Sequence, residues 1–150
     1  MCRQSKISRF FLLAALLAAP LFAVDVPFST ANVVDGVFDG AVSVHVADLD
    51  GDGDLDVLGA ALVADSIAWW ENTAGNGSAW TKHTVDGAFD GAASVHAADL
   101  DGDGDLDVLG AASAADDITW WENTVGDGSA WTEHTVDAAF EAAVSVHAAD

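Results

Sequence analysis

Asp48-Leu49-Asp50-Gly51-Asp52-Gly53-Asp54-Leu55-Asp56 recurs residue for residue, 51 positions further on, as Asp99-Leu100-Asp101-Gly102-Asp103-Gly104-Asp105-Leu106-Asp107. Each copy places five carboxylates at alternate positions within nine residues. Such charges repel one another unless a counter-ion sits among them. Hard oxygen donors around a turn that glycine permits suit Ca²⁺ far better than a soft metal. The reading is one Ca²⁺ per loop, bound as part of the fold.

The loop belongs to a longer repeat. Residues 35–85 laid over 86–136 agree at 41 of 51 positions. A third copy opens at Asp137, runs through Ser145-Val146-His147, and stops at Asp150, the first aspartate of its own loop. The pattern of Val85 to Gly91 is already present at the opening of the first unit, as Val34-Asp35-Gly36-Val37-Phe38-Asp39-Gly40. The sequence therefore reads as the front of a longer protein, with units at about 35–85, 86–136 and a truncated 137–150. Units of this length made of short strands cannot bury their own apolar faces, and so stack radially on their neighbours.

Four strands are predicted in each unit. Ala41–Ala47 is apolar and β-branched and runs straight into the aspartate loop; Leu55–Leu62 returns from it. Ser66–Asn72 and Ala79–Val85 follow, separated by the Gly/Asn turn chemistry of Ala74-Gly75-Asn76-Gly77-Ser78. Adjacent Trp69 and Trp70 must project from opposite faces of a sheet, so both faces are expected to be covered. The fold class is all-β: propeller blades of four antiparallel strands, about two full blades plus partial ones. A parallel β-helix has shorter coils and would not place one hairpin loop in every 51 residues.

Counted from Asp48, side-chain oxygens at positions 1, 3, 5 and 9 belong to Asp48, Asp50, Asp52 and Asp56, with the backbone carbonyl of Asp54 at position 7. The second loop offers Asp99, Asp101, Asp103 and Asp107, with the carbonyl of Asp105. An EF-hand shares the first half of this pattern but needs a bidentate Glu at position 12, where this chain has Gly59 and Gly110. A plain solvated turn would not require five aspartates at alternate spacing twice over.

With Ser-Val-His-x-Ala before it and Leu-Asp-Val-Leu-Gly-Ala-Ala after it, the loop resembles the FG-GAP or VCBS-type repeats of integrin-α-like β-propellers. Ile67-Ala68-Trp69-Trp70-Glu71-Asn72-Thr73 and Trp80-Thr81-Lys82-His83-Thr84 resemble the bacterial-type branch of that family. The resemblance covers residues 28–150 and implies a seven-bladed propeller with Ca²⁺ in the hairpin between the first and second strands of each blade. By position it implies the same ligands as above, with Asp150 opening a third site. Seven units need about 357 residues, so these 150 are a fragment of the ring. In a closing propeller Phe28–Val34 would complete the last blade, and uncovered it would be an exposed edge.

Residues 1–23 have the layout of a secretory signal peptide: Arg3, Lys6 and Arg9, then an apolar run, then Pro20-Leu21-Phe22-Ala23. The apolar stretch Phe10 to Val24 is shorter than a membrane span, so cleavage after Ala23 is expected, with an uncleaved anchor as the alternative. Cleavage would leave Lys82 as the only basic residue against all 25 acids. That balance excludes nucleic-acid binding. Cys2 is the only cysteine, so after cleavage no disulfide could staple the fold, and bound Ca²⁺ is the candidate substitute.

Other residues invite chemistry. His45, His96 and His147 recur on the innermost strand, where imidazoles could hold a transition metal or an anion, or simply bond to a neighbouring strand. Ser43 and His45 share a strand face, yet the pair repeats in each unit and no oxyanion device accompanies it. Trp80 and Trp131, beside Gly-rich turns, could stack on sugars. The Asn76-Gly77-Ser78 sequon becomes Asp127-Gly128-Ser129 in the next unit. The function expected is a secreted or cell-surface Ca²⁺-binding segment used for adhesion, its partner a carbohydrate or a surface protein. A lyase-like polysaccharide-degrading enzyme is the alternative, although Tyr is absent; a spacer repeat of a large surface protein is the third.

Overall fold

The computed structural model describes residues 32–149. The predicted signal segment, most of Phe28–Val34 and Asp150 lie outside them. Eight strands follow in order: β1 (Ala41–Ala47), β2 (Asp56–Ala61), β3 (Ser66–Glu71), β4 (Thr81–Asp86), β5 (Ala92–Ala98), β6 (Asp107–Ala112), β7 (Asp117–Asn123) and β8 (Trp131–Asp137). They form two open antiparallel sheets, β1-β2-β3-β4 and β5-β6-β7-β8, and no helix occurs among the described residues. The predicted strands appear with ends moved by one or two residues. Asp56 rather than Leu55 opens β2, because Asp56 pairs with Ala47 at the mouth of the hairpin.

Each sheet is a meander, and its strands pair in the same register in both copies. His45 lies opposite Leu58 and His96 opposite Leu109; Trp69 lies opposite His83 and Trp120 opposite His134. The two sheets pack face to face, with β5 lying against β1 and β2. Alternate residues Leu58, Ala60, Ile67 and Trp69 of the first sheet join Val95, Ala97, Val108 and Trp121 of the second in one core. Trp70 projects the other way and meets Phe38 edge-on, with ring centroids 4.9 Å apart. Lys82 closes that side, its Nζ lying 4.5 Å from the Phe38 ring and 3.2 Å from Asp35.

Among the described residues, the same repeat position fares differently according to what packs on it. Val95 is 5% exposed beneath the first sheet, whereas Val44, its counterpart one repeat earlier, is 68% exposed. Burying one valine is worth about 1.5–3 kcal/mol, so this contrast measures what each unit gains from its neighbour. Polar bonds repeat with the packing. Val95 N–H donates to Ser43 Oγ at 3.2 Å and Val146 N–H to Ser94 Oγ at 3.3 Å. Gly91 N–H donates to Asp65 Oδ1 at 2.8 Å and Ala142 N–H to Asp116 Oδ1 at 2.7 Å. The opening of the third unit is thus seated on the second sheet as the second sits on the first. The strand expected there does not form: among the described residues no second strand pairs with this segment, and a lone segment has no ladder to join.

Two substitutions test this packing. A Cβ on Gly110 would lie 2.8 Å from both Ile67 Cδ1 and the Trp121 ring and 3.0 Å from Phe89. Gly110→Ala should therefore cost about 1–3 kcal/mol in urea unfolding. Ala142 holds φ +55° where the other units have Gly40 and Gly91, so Ala142→Gly should stabilise the fold by about 1 kcal/mol in the same assay.

Candidate metal centre

The two aspartate loops are the turns of the β1–β2 and β5–β6 hairpins. Gly51 and Gly53 hold φ +75° and +95°, conformations that let the chain curl back on its own carboxylates. In the first loop Asp48 Oδ2 accepts Gly53 N–H at 3.1 Å, Asp50 Oδ1 accepts Asp52 N–H at 3.1 Å and Asp52 Oδ1 accepts Asp54 N–H at 2.8 Å. The second loop repeats this, with Asp99 Oδ2 on Gly104, Asp101 Oδ1 on Asp103 and Asp103 Oδ1 on Asp105. These local bonds turn the carboxylates toward one another. Oxygens of Asp48, Asp50 and Asp52 gather within 4.8 Å, as do those of Asp99, Asp101 and Asp107.

Of the predicted ligand sets, each loop thus brings three carboxylates together. Asp56 is not in the first trio and Asp103 is not in the second. The side chains of Asp54 and Asp105 instead approach Gly75 of the β3–β4 turn and Gly126 of the β7–β8 turn. Asp56 and Asp107 are fully buried, and each accepts two backbone N–H bonds. Asp56 takes Leu49 at 3.0 Å and Asn72 at 2.9 Å; Asp107 takes Leu100 at 2.8 Å and Asn123 at 3.0 Å. Position 9 is therefore a clasp that ties the loop to the end of the third strand of its sheet.

The electrostatics of the cluster are compatible with a cation. Burial pushes the Asp56 and Asp107 carboxyls above the ordinary range, with neighbouring carboxylates adding to the push and the backbone N–H bonds opposing it. Burial also raises Asp50, and Asp56, Asp52 and Glu71 act in the same direction. Asp48 Oδ1 is buried with no hydrogen-bond partner. A carboxylate oxygen so placed is costly unless something positive meets it. Every donor in the cluster is oxygen, the chemistry of a hard cation, and the loops can hold a metal ion.

Residues 60–110 match the family model of the FG-GAP-like repeat. This segment is consistent with an FG-GAP repeat protein. The matched frame runs from β2 into β6 and contains the whole second loop. The first loop belongs to the same pattern through its residue-for-residue identity. Neither the curated proteins nor the solved structures gave a match to this chain.

Around the FG-GAP-like repeat the remaining candidates take other parts. Ser43 and Ser94 accept backbone N–H groups of the next unit, which gives each hydroxyl a structural task. Trp131 packs against the core rather than standing free as a sugar platform, and the indole nitrogens of Trp80 and Trp131 are both buried. Sequence reasoning missed Asn72 and Asn123, which follow Trp-Trp-Glu in both units and are buried. The available signal was a polar residue repeated at the end of an apolar strand. Among the described residues no helix is long and apolar enough to cross a membrane.

The three histidines form a file, with ring centroids 4.3 Å apart between His45 and His96 and 4.2 Å between His96 and His147. Burial lowers the His45 pKa, helped by the charge of His147. Burial also lowers His96, with the charges of His45 and His147 adding and a bond to the Ala148 backbone opposing. A folded-state pKa below the ordinary 6.5 means that the unfolded chain binds more protons. Stability from this file is complete above 6.5 and declines as pH falls below it. His96→Gln should accordingly flatten the loss of stability between about pH 7 and 5, read by chemical denaturation at fixed Ca²⁺.

Proposed function

We propose that this chain is a Ca²⁺-stabilised part of a β-propeller of FG-GAP-like repeats, seven-bladed when complete, that acts outside the cytoplasm in binding rather than catalysis. The observation that carries the reading is the convergence of three aspartates in each hairpin, with Asp48 Oδ1 buried and unpartnered. Asp48, Asp50, Asp52 and Asp56, then Asp99, Asp101, Asp103 and Asp107, would hold the ion with the carbonyls of Asp54 and Asp105. Ca²⁺ would supply charge neutralisation, pinning each hairpin and making the fold depend on the extracellular ion. Secretion is supported by the layout of residues 1–23, and use as a binding surface by the repeat family and the scarcity of basic groups. The partner class is carbohydrate or a surface protein.

Calorimetric titration with Ca²⁺ tests this. Two ions should bind, and chelator should lower the melting of the β-sheet signal. At Ca²⁺ about 100 times the dissociation constant, each independent site adds about 2.7 kcal/mol. Asp50→Asn with Asp101→Asn should remove most of the binding, and Mg²⁺ should substitute poorly, because it demands a tighter octahedral shell. A titration without saturable heat, and a melting curve indifferent to chelator, would overturn the reading.

A further inference from the structure

We propose that Asn123 couples the two aspartate loops, so that a cation in one raises the affinity of the other; this rests on the Ca²⁺ reading above. Asn123 is the last residue of β7 and is 1% exposed. Its side-chain amide donates to Leu49 O at 3.1 Å and to Leu106 O at 3.3 Å. An amide NH₂ has two hydrogens, so one is available to each loop. Leu49 stands between Asp48 and Asp50 in the first loop, and Leu106 between Asp105 and Asp107 in the second. The Asn123 backbone N–H donates to Asp107 Oδ1, and its Oδ1 accepts Gly128 N–H at 3.0 Å, which fixes the orientation of the amide.

One buried side chain therefore holds a carbonyl of each loop, and the same residue holds a carboxylate of the second trio. On the other side, Leu49 N–H bonds to Asp56 Oδ2, so Leu49 carries the first loop's own clasp. Closing the first loop around an ion sets the Leu49 carbonyl, which sets the Asn123 amide, which sets Leu106 and Asp107. The same chain of bonds runs in reverse, as linkage requires.

The first sheet supplies a matched control. Asn72 makes the same local bonds: its N–H to Asp56 Oδ1, its amide to Leu55 O at 3.3 Å, and its Oδ1 from Gly77 N–H at 2.9 Å. Among the described residues it makes no bond to a second loop. The inter-loop bond at Asn123 is thus an addition to the support that either asparagine gives its own loop.

The test compares Ca²⁺ isotherms and Ca²⁺-dependent melting of the whole chain, wild type against variants. Disabling the second loop with Asp101→Asn and Asp103→Asn should weaken the first by at least about fivefold, the lower end of common coupling strengths. Asn123→Ala should remove that dependence and bring the Hill coefficient to one; Asn72→Ala should weaken binding yet leave the coupling. If Asn123→Ala loses its β-sheet circular dichroism, the second-loop variants carry the test alone. Two ions bound independently in the wild type would overturn the coupling while leaving the Ca²⁺ reading intact. No Ca²⁺ bound by either loop would overturn both.

Discussion

A sheet in which neighbouring tryptophans leave by opposite faces needs a cover on each side. Trp69 is buried between the two sheets, while Trp70 is closed over by Phe38 from the segment that precedes β1 and by Lys82 of β4. Trp121 meets Phe89, from the segment that precedes β5, edge-on, and Trp120 stacks on His134. Every other feature follows from this demand. Strands are short, small residues such as Ala60, Gly110 and Ala111 allow close approach, and the polar bonds between units fall where one sheet's edge meets the next. A unit of this kind gains stability chiefly by having neighbours.

The aspartate loops pose the opposite problem, because they concentrate charge where the apolar faces concentrate burial. The fold answers part of it with backbone N–H groups, which take up the oxygens of Asp50, Asp52, Asp56, Asp101, Asp103 and Asp107 one or two at a time. Backbone donors leave Asp48 Oδ1 buried and without a partner, a place where a metal ion could sit. The two problems meet at Asp56 and Asp107. Each is a buried carboxylate that belongs both to a loop and to the mouth of a hairpin, so a metal ion held there would bear on the same atoms as sheet formation.

Much of this was legible beforehand. Ala41–Ala47 is bounded by the Gly40 turn and the first loop aspartate, and the strand forms over those residues. The opposed tryptophans told that both faces would be covered. The role of Asn123 was not legible, because its partner Leu49 lies 74 residues away and an asparagine at a strand end ordinarily caps its own turn. The expected strand of the third unit was misread for a related reason: apolar pattern supplies the tendency, but a ladder needs a second strand to bond.

By itself the sequence determined the repeat, the strand order within a unit, and the chemistry of the loops, because all three rest on local spacing and on the donor types of nearby residues. Only the tertiary structure decided which faces meet and which atoms are shared between units. Val44 and Val95 stand in the same local sequence context, yet one is solvated and the other buried. Burial depends on what packs from outside the unit, which no local pattern encodes. The same holds for His45, His96 and His147, whose close file arises when successive inner segments are brought side by side.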